Sequence, residues 1–165
     1  GATKNVIAFA VGLADGLGYG LSTQATLISR GLVETIRFGL TLGGRVETFV
    51  GPAGVGDLTA TCMSTLSRNR TLGFHMGKGL GLEEAIAATG GTAESVKSCA
   101  AIAQLAASAG VEMPITDAVT AVLHRGAAPK DMVAEAVCRS SRLLEQLERA
   151  EHGEIDSSEL GALGL

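Results

Sequence analysis

The sequence predicts an all-α domain, and three observations carry that prediction. Apolar residues recur at spacings of three and four along almost the whole chain, the period of an amphipathic helix. No stretch alternates apolar and polar residues for long enough, with β-branched content, to compete as a strand. Glycine makes up 23 of 165 residues, about twice its usual share, and Gly12, Gly31 and Gly39 fall inside helical patterns. Each such glycine costs about 1 kcal/mol relative to alanine. Close helix-to-helix packing, which a side chain would block, is a physical reason to keep them. The length suits one domain with its own core and is short for two.

A first piece spans Asn5 to Ala14, mostly apolar. The next pattern places Ala25, Ile28, Leu32, Ile36 and Leu40 on one face. This predicts a helix of about five turns through the core, from about Ser22 to Leu42, with Ile28, Leu32 and Ile36 buried. Ser22 or Thr23 supplies its N-cap and Gly43-Gly44 its stop. Shorter pieces fit Gly56 to Thr61, Ser67 to Gly77 and Leu82 to Ala88. A second strong helix starts at Thr92, whose hydroxyl caps the turn holding Glu94. It buries Val96, Ala100, Ala103 and Ala106 before Gly110 ends it. Pro114 opens a helix through Ala118, Val122 and Leu123 to Gly126, with proline in the first turn where it loses no hydrogen bond. Pro129 opens another, burying Met132, Ala136 and Val137. These elements make a helical domain over residues 1–138, and the weaker pattern of 139–165 reads as a helical extension with a loose tail.

Charge narrows the partners. Net charge is −4, but residues 1–82 carry seven Lys/Arg against four Asp/Glu, and residues 83–165 carry six against thirteen. Between Asp57 and Glu83 there is no acid, while Arg68, Arg70 and Lys78 fall there. A local positive field in an acidic chain suits a small anion rather than nucleic acid, and aromatics at 3% leave no stacking platform. No apolar run approaches the roughly 18 residues of a membrane span, and no secretory signal is visible. Cys62, Cys99 and Cys138 are three and widely spaced, which argues against a disulfide framework and for a reducing compartment. His75, His124 and His152 share no metal-ligand spacing, so no metal site is expected. The expected setting is the cytoplasm.

Three clusters could carry chemistry. Lys4-Asn5 stands immediately before an apolar run, where partial desolvation favours the neutral amine and lets it act as a base. The alternative is a solvated lysine in a terminal turn. Asp57 follows the glycine turn Gly54-Val55-Gly56 and precedes Thr61-Cys62; it is a carboxylate for the site or only a helix cap. Ser67-Arg68-Asn69-Arg70 opens a helix, so free backbone N–H groups and guanidinium forks could meet phosphate oxygens, or the run is a solvated basic helix end. Glu94 reads as a first-turn carboxylate. His75 and His124 read as surface or packing residues.

Taken together and in order, these strings resemble a known family. G-A-T-K-N-V-I-A at 1–8, G-L-A-D-G-L-G-Y-G at 12–20 and T-L-I-S-R-G at 26–31 are similar to the carboxy-terminal domain of bacterial NAD(P)-dependent glycerol-3-phosphate dehydrogenase. So are T-F-V-G at 48–51, G-V-G-D-L at 54–58, T-C at 61–62, S-R-N-R at 67–70, A-E-S-V-K at 93–97 and M-P-I-T at 113–116. Each string alone is weak; the ordered set over about 1–137 is specific. The family usually carries Asn and Lys or Arg where this chain has Ser22 and Gln24.

The resemblance implies a helical domain like the C-terminal domain of 6-phosphogluconate-dehydrogenase-like enzymes, with roles for named residues. Lys4 would be the general base toward the substrate hydroxyl. Asn5, Asp57 and Thr61 would line its pocket, while Ser67, Arg68 and Asn69 would hold the substrate phosphate. Arg68 and Glu94 would contact NAD(P). Lys4, Asp57, Arg68 and Asn69 would converge on one pocket. The implied reaction interconverts sn-glycerol 3-phosphate and dihydroxyacetone phosphate, feeding glycerophospholipid synthesis, in a parent enzyme expected to be a homodimer. The sequence has no strand–G-x-G-x-x-G–helix unit, since Gly16, Gly18 and Gly20 follow a helix. The expectation is therefore a substrate domain without its dinucleotide-binding half. Two other readings are the substrate domain of another two-domain dehydrogenase and a non-catalytic helical dimerisation module. The G-V-G-D-L and S-R-N-R runs argue against the first of these, and the glycine-rich helices support the second.

Overall fold

A computed structural model describes residues 1–137, which are helical with no strand among them. The helices are α1 (Ala2–Gly16), α2 (Leu21–Thr41), α3 (Val46–Val50), α4 (Asp57–Met63), α5 (Arg68–Gly77), α6 (Leu82–Thr89), α7 (Glu94–Ser108) and α8 (Pro114–His124). One turn of π-helix, Pro52–Gly56, leads into α4. A last helix, α9, begins at 129 and continues to 137, the end of the described residues. The predicted extension over 139–165, with Cys138 and His152, lies outside them. No described helix is long and apolar enough to cross a membrane.

The axis of the core is α1, not α2 as the sequence predicted. From Val6 to Leu13 its side chains are buried all round, the property of a helix enclosed by others. Helices α2, α4, α5, α7 and α8 surround it. The tightest of these packings is α1 on α5. A Cβ on Gly12 or Gly16 would overlap the carbonyl oxygens of Arg70 and Phe74, and one on Gly73 that of Phe9. Glycines four apart on both helices therefore bring two backbones into direct contact. Gly31 and Gly39 serve the same end, against the Ile7 side chain and the Phe49 ring.

Helix α2 is rotated by about one residue from the predicted face. Its buried positions are Gln24, Leu27, Gly31, Glu34 and Phe38, while Ile28, Leu32 and Ile36 are half-buried and Ala25 and Leu40 exposed. The inward line contains a glycine and two polar residues, so apolar periodicity points beside it. The N-cap is Gly20, not Ser22 or Thr23. The stop is as predicted: Gly43 adopts φ +81°, and Gly44 N–H donates to Gly39 O.

Two helices are capped from across the fold instead of locally. Helix α7 has Ala93 at its N-cap, so the predicted Thr92 cap is not used. Asn69 Oδ1 on α5 accepts the Ser95 N–H at 2.9 Å instead. The α7 face is Ser95, Cys99, Ile102, Ala103 and Ala106: Ala103 and Ala106 are buried as predicted, while Ala100 is exposed and Val96 half-buried. At α8, the buried Glu34 carboxylate accepts Ile115 N–H at 2.6 Å, Thr116 N–H at 3.3 Å and the Thr116 hydroxyl at 3.2 Å. These bonds satisfy helix-end donors that would otherwise be orphaned. In α9, Met132, Val133 and Ala136 are buried and Val137 is half-buried.

Candidate active site

Lys4 and Asn5 occupy the first turn of α1, and the burial of the rest of that helix fixes where they stand. The Lys4 ammonium is not desolvated against an apolar face. It donates to Asp57 Oδ2 at 2.5 Å, with the two side chains 32% and 48% exposed. Asp57 is held there by chain geometry: the π-helical turn widens the backbone before α4 and delivers Asp57 as its first residue. Asp57 does not act as a side-chain cap. Lys4 and Asp57 line a cleft of about 180 Å³ together with Thr35, Thr48 and Phe49.

One turn further along α4, Thr61 lines a second, more open cleft of about 450 Å³, shared with Ser67, Arg68, Asn69 and Glu94. Lys4 and Asp57 thus line one cleft and Arg68 and Asn69 the next, a single helical turn away, instead of converging on one pocket as the sequence reading expects. Thr61 Oγ1 donates to the Asp57 carbonyl at 2.7 Å. Asn5 spans the same gap on the other side, its Nδ2 donating to Glu94 Oε2 at 2.7 Å.

Ser67 is the N-cap of α5, its Oγ accepting the Arg70 N–H at 3.4 Å. Its own hydroxyl proton is thereby left to donate outward. Asn69 gives its oxygen to Ser95 and keeps Nδ2 as a donor. Arg68 is exposed, and no carboxylate among the described residues pairs with it. The first turn of α5 therefore offers a cation and two donors, at a helix N-terminus where the dipole favours an anion.

Arg70, read from sequence as a second outward cation, turns inward and donates to Asp15 Oδ2 of α1 at 2.7 Å. Gln24, which departs from the family pattern, is buried, and its Nε2 contacts Asp15 Oδ1 and the Tyr19 carbonyl. Neither Asp15 nor Gln24 was singled out for the site. The usable signal was that Asp15 interrupts an apolar helix. The two described cysteines are buried: burial pushes the Cys62 thiol up to about 12, against the opposing pull of Arg70, and burial also raises Cys99. No cluster of potential metal ligands exists among the described residues.

Comparison with known proteins fits this arrangement. A family model described as NAD-dependent glycerol-3-phosphate dehydrogenase C-terminus matches residues 1–134. Relatives described as glycerol-3-phosphate dehydrogenase (NAD(P)+) include those of Streptomyces griseus, 52% identical over 142 residues, and Herminiimonas arsenicoxydans, 49% identical over 142. Both alignments take in 86% of this chain and, respectively, 42% and 43% of the relative, so the chain spans about two-fifths of their length. A crystal structure of glycerol-3-phosphate dehydrogenase from Coxiella burnetii superposes with a TM-score of 0.80 at 39% identity, over 83% of this chain and 42% of that one. A Dunaliella salina structure shares the fold, with a TM-score of 0.69 at 23% identity, over 81% of this chain and 25% of that one. On the match over residues 1–134, the chain belongs to the family of NAD-dependent glycerol-3-phosphate dehydrogenase C-terminal domains.

Proposed function

We propose that this chain is the substrate-binding, proton-transferring part of an oxidoreductase that interconverts sn-glycerol 3-phosphate and dihydroxyacetone phosphate with NAD(P). The observation that carries the reading is the segregation of chemistry along two packed helices. An anion grip sits at the start of α5, and a lysine–carboxylate pair sits at the start of α1. A three-carbon phosphate needs both.

In this reading Ser67, Arg68 and Asn69 hold the phosphate through donors left over from their structural bonds. Lys4 moves the proton of the C2 oxygen, the neutral amine accepting it in oxidation and the ammonium returning it in reduction. Asp57 fixes the direction of the Lys4 Nζ, and Thr61 and Asn5 offer acceptor oxygens to the substrate hydroxyls. The C2 hydride would pass to the oxidised dinucleotide in the oxidative direction and come from its reduced form in the other. The residues at the cleft suit such a group: Arg68 is an unpaired cation for a phosphate oxygen, and Glu94 keeps Oε1 as an acceptor for a hydroxyl. Most of the dinucleotide would be held by the portion of the relatives that this chain does not span. The same reading makes the working enzyme a cytoplasmic homodimer that supplies glycerophospholipid synthesis.

The test is a chimera in which this chain replaces the matching portion of the Streptomyces griseus relative. The expected outcome is reduction of dihydroxyacetone phosphate, lost on Lys4→Ala. A folded chimera that turns over neither this substrate nor glycerol 3-phosphate would refute the reading.

A further inference from the structure

The geometry points to the Asp15–Arg70 pair as the positioning element of the α5 anion grip, acting on Arg68 and Asn69 without touching the substrate. The assignment rests on the functional reading above.

Arg70 lies in the first turn of α5, directly after the three candidate phosphate residues, and is tied to its surroundings through three of its own groups. Its backbone N–H donates to Ser67 Oγ at 3.4 Å. Its carbonyl lies where a Cβ on Gly12 of α1 would stand. Its Nη2 donates to Asp15 Oδ2 at 2.7 Å, on the same face of α1 one turn further along. The guanidinium is 14% exposed and Asp15 31%. Two neutral polar groups adjoin the pair: Cys62 feels the Arg70 charge but stays a thiol, and Gln24 Nε2 meets the second Asp15 oxygen at 3.4 Å.

This arrangement assigns the two arginines of the run to opposite tasks. Arg68 points outward at the first position of α5, and Arg70 points inward. With Asn69 tied to α7 and Arg70 tied to α1, the first turn of α5 is fixed against rotation from two sides. The Arg70 Nε is buried with no partner, so the head group is held through one end of its fork. Its position therefore depends on Asp15. Releasing that end lets the first turn of α5 roll and carries the outward guanidinium with it. A direct ligand role is disfavoured by the inward orientation.

The experiment uses the chimera and compares Asp15→Asn, Arg70→Gln, Arg70→Lys and the double Asp15→Asn/Arg70→Gln, with melting temperatures as the control for folding. Asp15→Asn is expected to raise KM for glycerol 3-phosphate about tenfold, the scale of a small misplacement of a binding group, with kcat changed far less. The double variant should be no worse than the worse single, and Arg70→Lys should recover part of the loss. Glycerol, which has no phosphate, should be used equally well by all four. Arg70→Gln raising KM while Asp15→Asn leaves it unchanged would overturn the assignment and make Arg70 a direct ligand. A fall in kcat/KM on glycerol as large as that on glycerol 3-phosphate would overturn it in favour of a purely structural pair. A wild-type chimera without turnover would instead refute the functional reading and this assignment with it.

Discussion

The proposed function gives Lys4 and Arg68 different kinds of work, and their substitutions should separate in kinetics. In the chimera, Lys4→Ala is expected to lower kcat by about two to four orders of magnitude, because proton transfer is made in the transition state. Arg68→Ala should chiefly raise KM, since a grip on a non-reacting phosphate contributes binding throughout. The discriminating measurement is glycerol: Arg68→Ala should lose much less on it than on glycerol 3-phosphate, and equal losses would mean that Arg68 does not read the phosphate. Alkylation gives a third readout. Cys62 should resist iodoacetamide in the folded protein at pH 8 and react after denaturation, because burial keeps its thiol protonated. Much at this scale was legible in the sequence. Residue type limits what Lys4, Asp57 and Arg68 can do, and the structure sets all three at cleft edges. The inward turn of Arg70 was not legible, because two arginines two residues apart look alike until the opposite helix supplies Asp15.

Glu34 shows what a helix can hide. No apolar spacing singles it out, yet it is 5% exposed and caps α8 from α2. Glu34→Ala is expected to cost about 1–3 kcal/mol, the penalty for leaving buried N–H groups unpaired, read by urea unfolding. Burial pushes this carboxyl up to about 7, against the pull of the Ile115 and Thr116 bonds. The folded protein therefore holds a proton through a range where the unfolded chain has lost it. That contribution to stability is complete below about pH 4.5 and declines as pH rises to about 7. Relative to Glu34→Gln, the wild type should lose on the order of 3 kcal/mol across that window. A difference that stays flat with pH would show that Glu34 ionises alike in both states. The same concealment explains the misread face of α2: its core line is Gln24, Leu27, Gly31, Glu34 and Phe38, and only two of these five are apolar side chains. Helix α3 was unforeseen for another reason, as five residues are too few to show a period. The existence of the longer helices, by contrast, was plain from apolar spacing, because tertiary burial rewards that spacing whichever neighbour supplies it.

The whole molecule joins its two working ends through a backbone-to-backbone seam. Gly12 and Gly16 on α1 face Gly73 and Gly77 on α5, and nothing thicker than a hydrogen fits between. Gly73→Ala is expected to destabilise the protein by about 1–3 kcal/mol or more through overpacking, measured as a lower urea midpoint. Taken alone, the 165-residue chain should bind glycerol 3-phosphate weakly and show no useful turnover with added NAD(P), since most positioning of the nicotinamide would come from elsewhere. The seam has a consequence for which substrates fit. One of the two helices begins with the lysine and the other with the proposed anion grip, so the spacing of their axes is set by main-chain thickness at the glycines. Such a joint works as a gauge block. On the proposed reading it would favour a molecule whose alcohol and phosphate lie a fixed few bonds apart. Changing the length of the accepted molecule would mean rebuilding the glycines themselves.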